Sequence, residues 1–131
     1  MTTPPRWRVR HTRAMAAPHS PGPRHAYVHE ATIAFSENVD PRAAGAAVTV
    51  ALCGHWEHDG PCRWPHNNEV AGDCFRTLFV CEPGDEPEVR AKIVGALRGA
   101  TEWRVVSDRA RDVAESEQQL ASDLLQVPRR E

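Results

Sequence analysis

The chain has 131 residues, 40% of them hydrophobic but only 6% aromatic, and a formal net charge of −2. That length favours one domain with a real core, and no apolar run approaches the roughly 18 residues of a membrane span. The small total conceals an asymmetry: residues 1–25 hold no acid and carry Arg6, Arg8, Arg10, Arg13 and Arg24, so the remainder is acidic and a poor docking surface for nucleic acid.

Residues 1–25 read as a disordered, arginine-rich N-terminal arm, with recurring prolines and no apolar periodicity. Trp7 among its arginines is a conceivable hook for nucleic acid or another anionic partner, against the plainer reading of a solvated tail or of extra residues ahead of a start at Met15. Pro18, Pro21 and Pro23 stand where a secretory signal would have its apolar stretch, and there is no twin-arginine pair, so the expected compartment is the cytoplasm. There the four cysteines are expected as thiols, thiolates or metal ligands, not as disulfides. Were they to pair, three pairings would be open.

Residues 26–126 read as a single α+β domain. Tyr27, His29, Ala31, Ile33 and Phe35 alternate as the core face of a first strand over 26–36. His29 on that face is expected as a satisfied core or rim histidine, the alternatives being an extra ligand or an acid/base group. Asp40-Pro41 opens a helix running to about Leu52, with Ala43, Ala44, Ala47, Val48 and Ala51 and an internal Gly45. Those small residues allow the helix to lie close on a sheet. A short edge strand is expected over 54–58 and a long hairpin loop over 59–73, with turn signals at Asn67-Asn68 and Gly72-Asp73. Cys74–Cys81 is a strong strand. Asp85 and Glu88 open a second helix, with a Val89, Ile93, Leu97 stripe and Gly99 at its end. Trp103–Val106 is a short fourth strand, Ser107 caps a third helix over about 108–126, and 127–131 is a polar tail. The resulting order, βαββαβ plus a C-terminal helix, is that of a ferredoxin-like split βαβ sandwich. In that arrangement the first and third strands are central and the second and fourth are edges. The added helix either covers the open face of the sheet or binds a partner copy.

The chemistry is concentrated in Cys53-Gly-His55-Trp-Glu-His58-Asp-Gly-Pro-Cys62-Arg-Trp-Pro-His66. Cys53, His55, His58, Cys62 and His66 supply more thiolate and imidazole donors than the four positions of a tetrahedral zinc ion, so loop 53–74 between the second and third strands is predicted to bind Zn²⁺. The competing reading is a surface loop in which these residues fall together by coincidence. The order of donors matches no common zinc-finger spacing. Trp56 and Trp64 are expected to roof the site. Cys74 is a sixth donor candidate, and Cys81 a small buried core residue.

Glu57 and Asp59 stand next to the histidines, but neither H-E-x-x-H nor the zinc-deaminase pattern is present. There is no glycine-rich phosphate loop and no nucleophile elbow. No catalytic residue is assigned. The expectation is a zinc-binding accessory or protein-interaction domain with a structural metal, whose partner is another protein or a second copy and not a membrane. The alternatives are a metal chaperone or sensor, a metal-dependent hydrolase with Glu57 as base, and a nucleic-acid-binding module using the arginine arm.

Overall fold

A computed structural model describes residues 22–54 and 62–129. Their elements run β1 (His25–Phe35), α1 (Arg42–Cys53), β2 (His66–Ala71), β3 (Cys74–Cys81), α2 (Glu86–Arg98), β4 (Trp103–Arg111) and α3 (Gln118–Leu125). The four strands form one sheet in the order β2-β3-β1-β4, and every neighbouring pair is antiparallel. β1 and β3 are central and β2 and β4 are the edges, as the apolar content of the strands predicts.

Strand alternation divides the core in two. Ala31 and Ile33 of β1 and Phe75, Phe79 and Cys81 of β3 meet Ala44, Val48 and Leu52 of α1 and Val89, Ile93 and Leu97 of α2. On the opposite face Val28 and Leu78 meet Ala121, with Leu120, Leu124 and Val113 around them, so α3 covers part of the face that α1 and α2 leave open. Arg24 donates to the carbonyls of Leu125 and Val127 at 2.7 and 2.6 Å. A cation there satisfies the orphan acceptors at the end of α3.

Two elements differ from expectation. The strand beside β3 is His66–Ala71, inside the expected hairpin loop, and it joins β3 through a tight turn at Gly72-Asp73; of the edge strand expected over 54–58, residues 55–58 lie outside the described residues. The donor-rich segment therefore connects α1 to β2 and is not a β2–β3 loop. Asn67-Asn68 reads as a turn, but Asn68 is a paired strand residue opposite Thr77. Its amide is held by the Gly45 carbonyl at 3.0 Å, and its oxygen accepts from Thr77 Oγ1 at 2.7 Å. Buried partners of this kind override a local turn preference.

The fourth strand also continues past Ser107, the expected helix cap, to Arg111, and α3 begins only at Gln118. Ser107 faces Thr32 and Val105 faces Ile33, which leaves Val106 as an extra residue in a β-bulge. Charges on β4 hold the extension. Arg109 and Arg111 both reach Glu30 on β1 at 2.7 Å, and Asp108 reaches His29 at 3.0 Å.

A charge network ties α3 and its lead-in to the sheet. Arg111 grips Glu117 with two hydrogen bonds of 2.8 and 3.0 Å, and buried Arg76 approaches the same carboxylate at 3.2 Å while also pairing with Glu69. Arg111's hydrogen bonds lower the Glu117 pKa from 4.5 to about 2, against the opposing effect of burial. A carboxyl whose pKa is lower folded than unfolded contributes stability above the unfolded value, and loses it as pH falls toward the folded one. Glu117→Gln is expected to cost about 1.5–3 kcal/mol near pH 7. The gap between variant and parent, measured by urea unfolding, should narrow as pH falls from 4.5 toward about 2. A gap unchanged across that range would refute the coupling.

Candidate functional site

α1 delivers Cys53 at its last turn. Gly54 follows with φ 87°, a left-handed conformation that glycine adopts without penalty, and its N–H closes on the Val50 carbonyl at 2.7 Å. The helix thus stops directly after the cysteine. The chain is described again from Cys62, runs through buried Trp64, and enters β2 at His66. Trp64 is pinned by Arg63 stacked 4.4 Å from its ring centroid and by its indole N–H pointing at Asp85 at 3.4 Å.

Cys53, Cys62 and His66 come together: one ligand atom from each lies within 4.8 Å of the others. Cys53 and Cys62 are joined as a disulfide, with their Cα atoms 5.5 Å apart. The sequence predicts two thiolate ligands, so this is a correction. With the sulfurs bonded to each other, His66 is the remaining donor of the three. A metal fits the donor set only when the pair is reduced, since the thiolate is the ligand form of cysteine. Two thiolates and an imidazole then make a set suited to zinc. A tetrahedral ion with Zn–S arms of about 2.3 Å sets two sulfurs about 3.8 Å apart. Side-chain rotation supplies that separation across the observed Cα spacing.

The His66 ring is oriented for such a role. One nitrogen, Nδ1, lies 3.0 Å from the Trp64 carbonyl, which can only accept, so Nδ1 carries the proton. Nε2 therefore has the lone pair, and here it accepts from the Thr49 hydroxyl at 3.0 Å. A backbone carbonyl on one nitrogen of a histidine is the usual way to fix the tautomer that presents the other nitrogen to a metal.

Of the other predicted donors, His55 and His58 lie outside the described residues, as do Trp56, Glu57 and Asp59. So does the arginine-rich stretch 1–21, with Trp7. Cys74 is exposed, at the hairpin turn that ends β2, and is not part of the Cys53, Cys62, His66 group. Cys81 is buried in the core as expected. Burial first, then the charges of Asp85 and Glu86, push its thiol up to about 12.

A second cluster was visible in the sequence only as His29. The ring is 5% exposed and bridges Arg90 of α2, at 3.1 Å from Nδ1, and Asp108 of β4, at 3.0 Å from Nε2. Arginine only donates and a carboxylate only accepts, so Nδ1 is bare and Nε2 is protonated. The neutral ring satisfies both neighbours, and a second proton would collide with Arg90. Asp108 is also paired with Arg98 at 2.7 Å, and Arg90 with Glu86 at 2.8 Å. A neighbouring cavity of about 360 Å³ is lined by Tyr27, Glu86, Arg90, Arg111 and Asp112 among others. Arg90 and Arg111 there already bind Glu86 and Glu30. His29 is a structural bridge, the satisfied histidine its place on the core face predicts.

The chain matches no protein-family model, no curated protein and no solved structure. Among the described residues, no helix is long and apolar enough to cross a membrane.

Burial lowers the His29 pKa below 6.5, and the Asp108 hydrogen bond opposes it. Stability tied to the neutral ring is therefore complete above the unfolded value and is lost as pH falls through it. In a proton–nitrogen NMR titration His29 should keep its Nε2–H tautomer and titrate below 6.5. A midpoint above that value would contradict the bridge.

Proposed function

We propose that the chain is a small zinc-binding accessory domain on a ferredoxin-like frame, in which reduced Cys53, Cys62 and His66 hold the ion and organise the α1–β2 connection for contact with another protein. The convergence of these three side chains carries the reading. They come from separate points of the sequence and meet at the junction of a helix end and an edge strand. His55 and His58 add sequence candidates for a remaining position. The strand order, the uniformly antiparallel pairing and the placement of α1 and α2 on one face support the frame.

The accessory reading is favoured over catalysis by the state of the acid/base groups in and beside the cavity at Tyr27, Glu86 and Arg90. Arg90 and Glu86 are paired, and His29 is locked between Arg90 and Asp108. A metal-handling protein is the second reading, favoured by the same Cys53–Cys62 pair, because a site that can close into a disulfide is one that can give up its ion.

The metal in this account orders a connection and not the core. The large buried side chains, Phe75, Phe79, Ile33, Leu78 and Ile93, belong to the sheet and the helices facing it. A disulfide or metal closing a loop of this size stabilises by about 2–3 kcal/mol through chain entropy, which a domain with its own core can lose and remain folded. Full-length protein prepared under reducing conditions should hold about one zinc per chain by elemental mass spectrometry. Cys62→Ser and His66→Ala should lose it while keeping a cooperative unfolding transition by circular dichroism. Parent protein that takes up no zinc, or variants that retain it fully, would overturn the reading.

A further inference from the structure

We infer that metal binding at Cys53, Cys62 and His66 is gated by thiol oxidation: forming the Cys53–Cys62 disulfide expels the ion, and reducing it restores the site. This rests on the zinc-binding reading above and adds its regulation.

The geometry accommodates both states. In the disulfide state each part of the cluster is satisfied without a metal. The two sulfurs are bonded to each other across Cα atoms 5.5 Å apart. The His66 ring rests between the Trp64 carbonyl and the Thr49 hydroxyl, both at 3.0 Å. Releasing an ion therefore leaves no half-buried imidazole stranded, a condition that would otherwise penalise the oxidised form. In the reduced state the same backbone places the three donors within reach of one ion. Thr49 is the exchangeable neighbour: its hydroxyl holds Nε2 when the metal is absent and yields it when the metal is bound. Thr49 Oγ1 also accepts from the Asn68 amide at 3.2 Å, so it stays anchored in either state.

Of the remaining cysteines, one cannot compete with the pair and the other lies apart from it. Cys81 is sealed in the core and its thiol is held protonated far above neutrality. Only a thiolate attacks a disulfide. Cys74 is exposed but lies outside the cluster, at the hairpin turn beyond the other end of β2.

The oxidant we assign is a low-molecular-weight disulfide such as oxidised glutathione. One cysteine thiolate of the pair attacks it, forming a mixed disulfide and releasing one glutathione thiolate. The second cysteine thiolate attacks the protein sulfur of the mixed disulfide, forming the Cys53–Cys62 bond and releasing the other glutathione thiolate. Two electrons pass from the two cysteine sulfurs to the glutathione disulfide. Zinc keeps its charge, loses two of its anionic ligands and dissociates as Zn²⁺.

The test uses the full chain carrying Cys74→Ser, reduced and loaded with one equivalent of zinc. Oxidised glutathione is titrated in, with released zinc read by a chromogenic chelator and the disulfide located by peptide mass mapping. The expected result is one zinc released for each Cys53–Cys62 bond formed, an apparent zinc affinity at least about 100-fold weaker in the oxidised protein, and full rebinding after reduction. Cys53→Ser in the same background should show weak zinc binding that glutathione does not change. Disulfide formation with zinc retained would overturn the gating. So would a zinc-loaded pair that resists oxidant sufficient to close the metal-free pair. Reduced protein that binds no zinc at all would instead sink the metal reading on which the gating rests.

Discussion

Gly45 lets α1 settle on β2 until the Asn68 side chain reaches its backbone. A side chain at that glycine would place its Cβ 3.2 Å from the Asn68 Cβ, tighter than ordinary contact. The close approach is then fastened by a short polar ladder: Asn68 to the Gly45 carbonyl and Thr49, Thr77 to Asn68, and Thr49 to His66. These are polar groups at the margin of an apolar core, each with a partner, and they set the register of the helix against the edge strand. One turn past Thr49 the helix ends at Cys53. Two residues before Asn68 the strand begins at His66. The cysteine and the histidine meet because the ladder aligns the two elements.

Much of the frame was legible from alternation and helical periodicity. The apolar faces of β1 and β3, the Val89, Ile93, Leu97 stripe of α2 and the small-residue face of α1 are strong local patterns, and they place the two central strands and the two helices that cover them. What local pattern could not supply was the position of β2 and the full length of β4. β2 is polar, His-Asn-Asn-Glu-Val-Ala, because two of its inward residues, His66 and Asn68, bond to α1 and β3 and only Val70 packs on the core. β4 extends through Ser107-Asp-Arg-Ala-Arg, a sequence that reads as a helix start, because its charges are matched by Glu30 and His29 on a strand distant in sequence. Edge strands held by side-chain pairing leave little periodicity to read.

The candidate site was legible as a density of cysteine and histidine, and less so as geometry. Spacing alone puts five donors in competition. The three that lie among the described residues, Cys53, Cys62 and His66, converge, while Cys74 stands apart from them and Cys81 is buried in the core. The fold also adds what the spacing did not contain, the carbonyl of Trp64 and the hydroxyl of Thr49 that orient His66. The bond between Cys53 and Cys62 could not be foreseen from a composition that pointed to thiolates. It follows from a helix end and a strand entrance that bring two Cα atoms to a distance a disulfide spans. His29 shows the converse. Its burial and its neutral, bridging role follow from its place on the core face of the central strand, without any functional demand.

The central claim, that reduced Cys53, Cys62 and His66 form one metal site, is tested most directly by X-ray absorption at the zinc edge of the reduced, zinc-loaded full chain. The account predicts a first shell with two sulfur scatterers at about 2.3 Å and imidazole nitrogen at about 2.0–2.1 Å, and no bound zinc left to give such a shell in the Cys53→Ser, Cys62→Ser double variant. A shell of oxygen and nitrogen alone would contradict it.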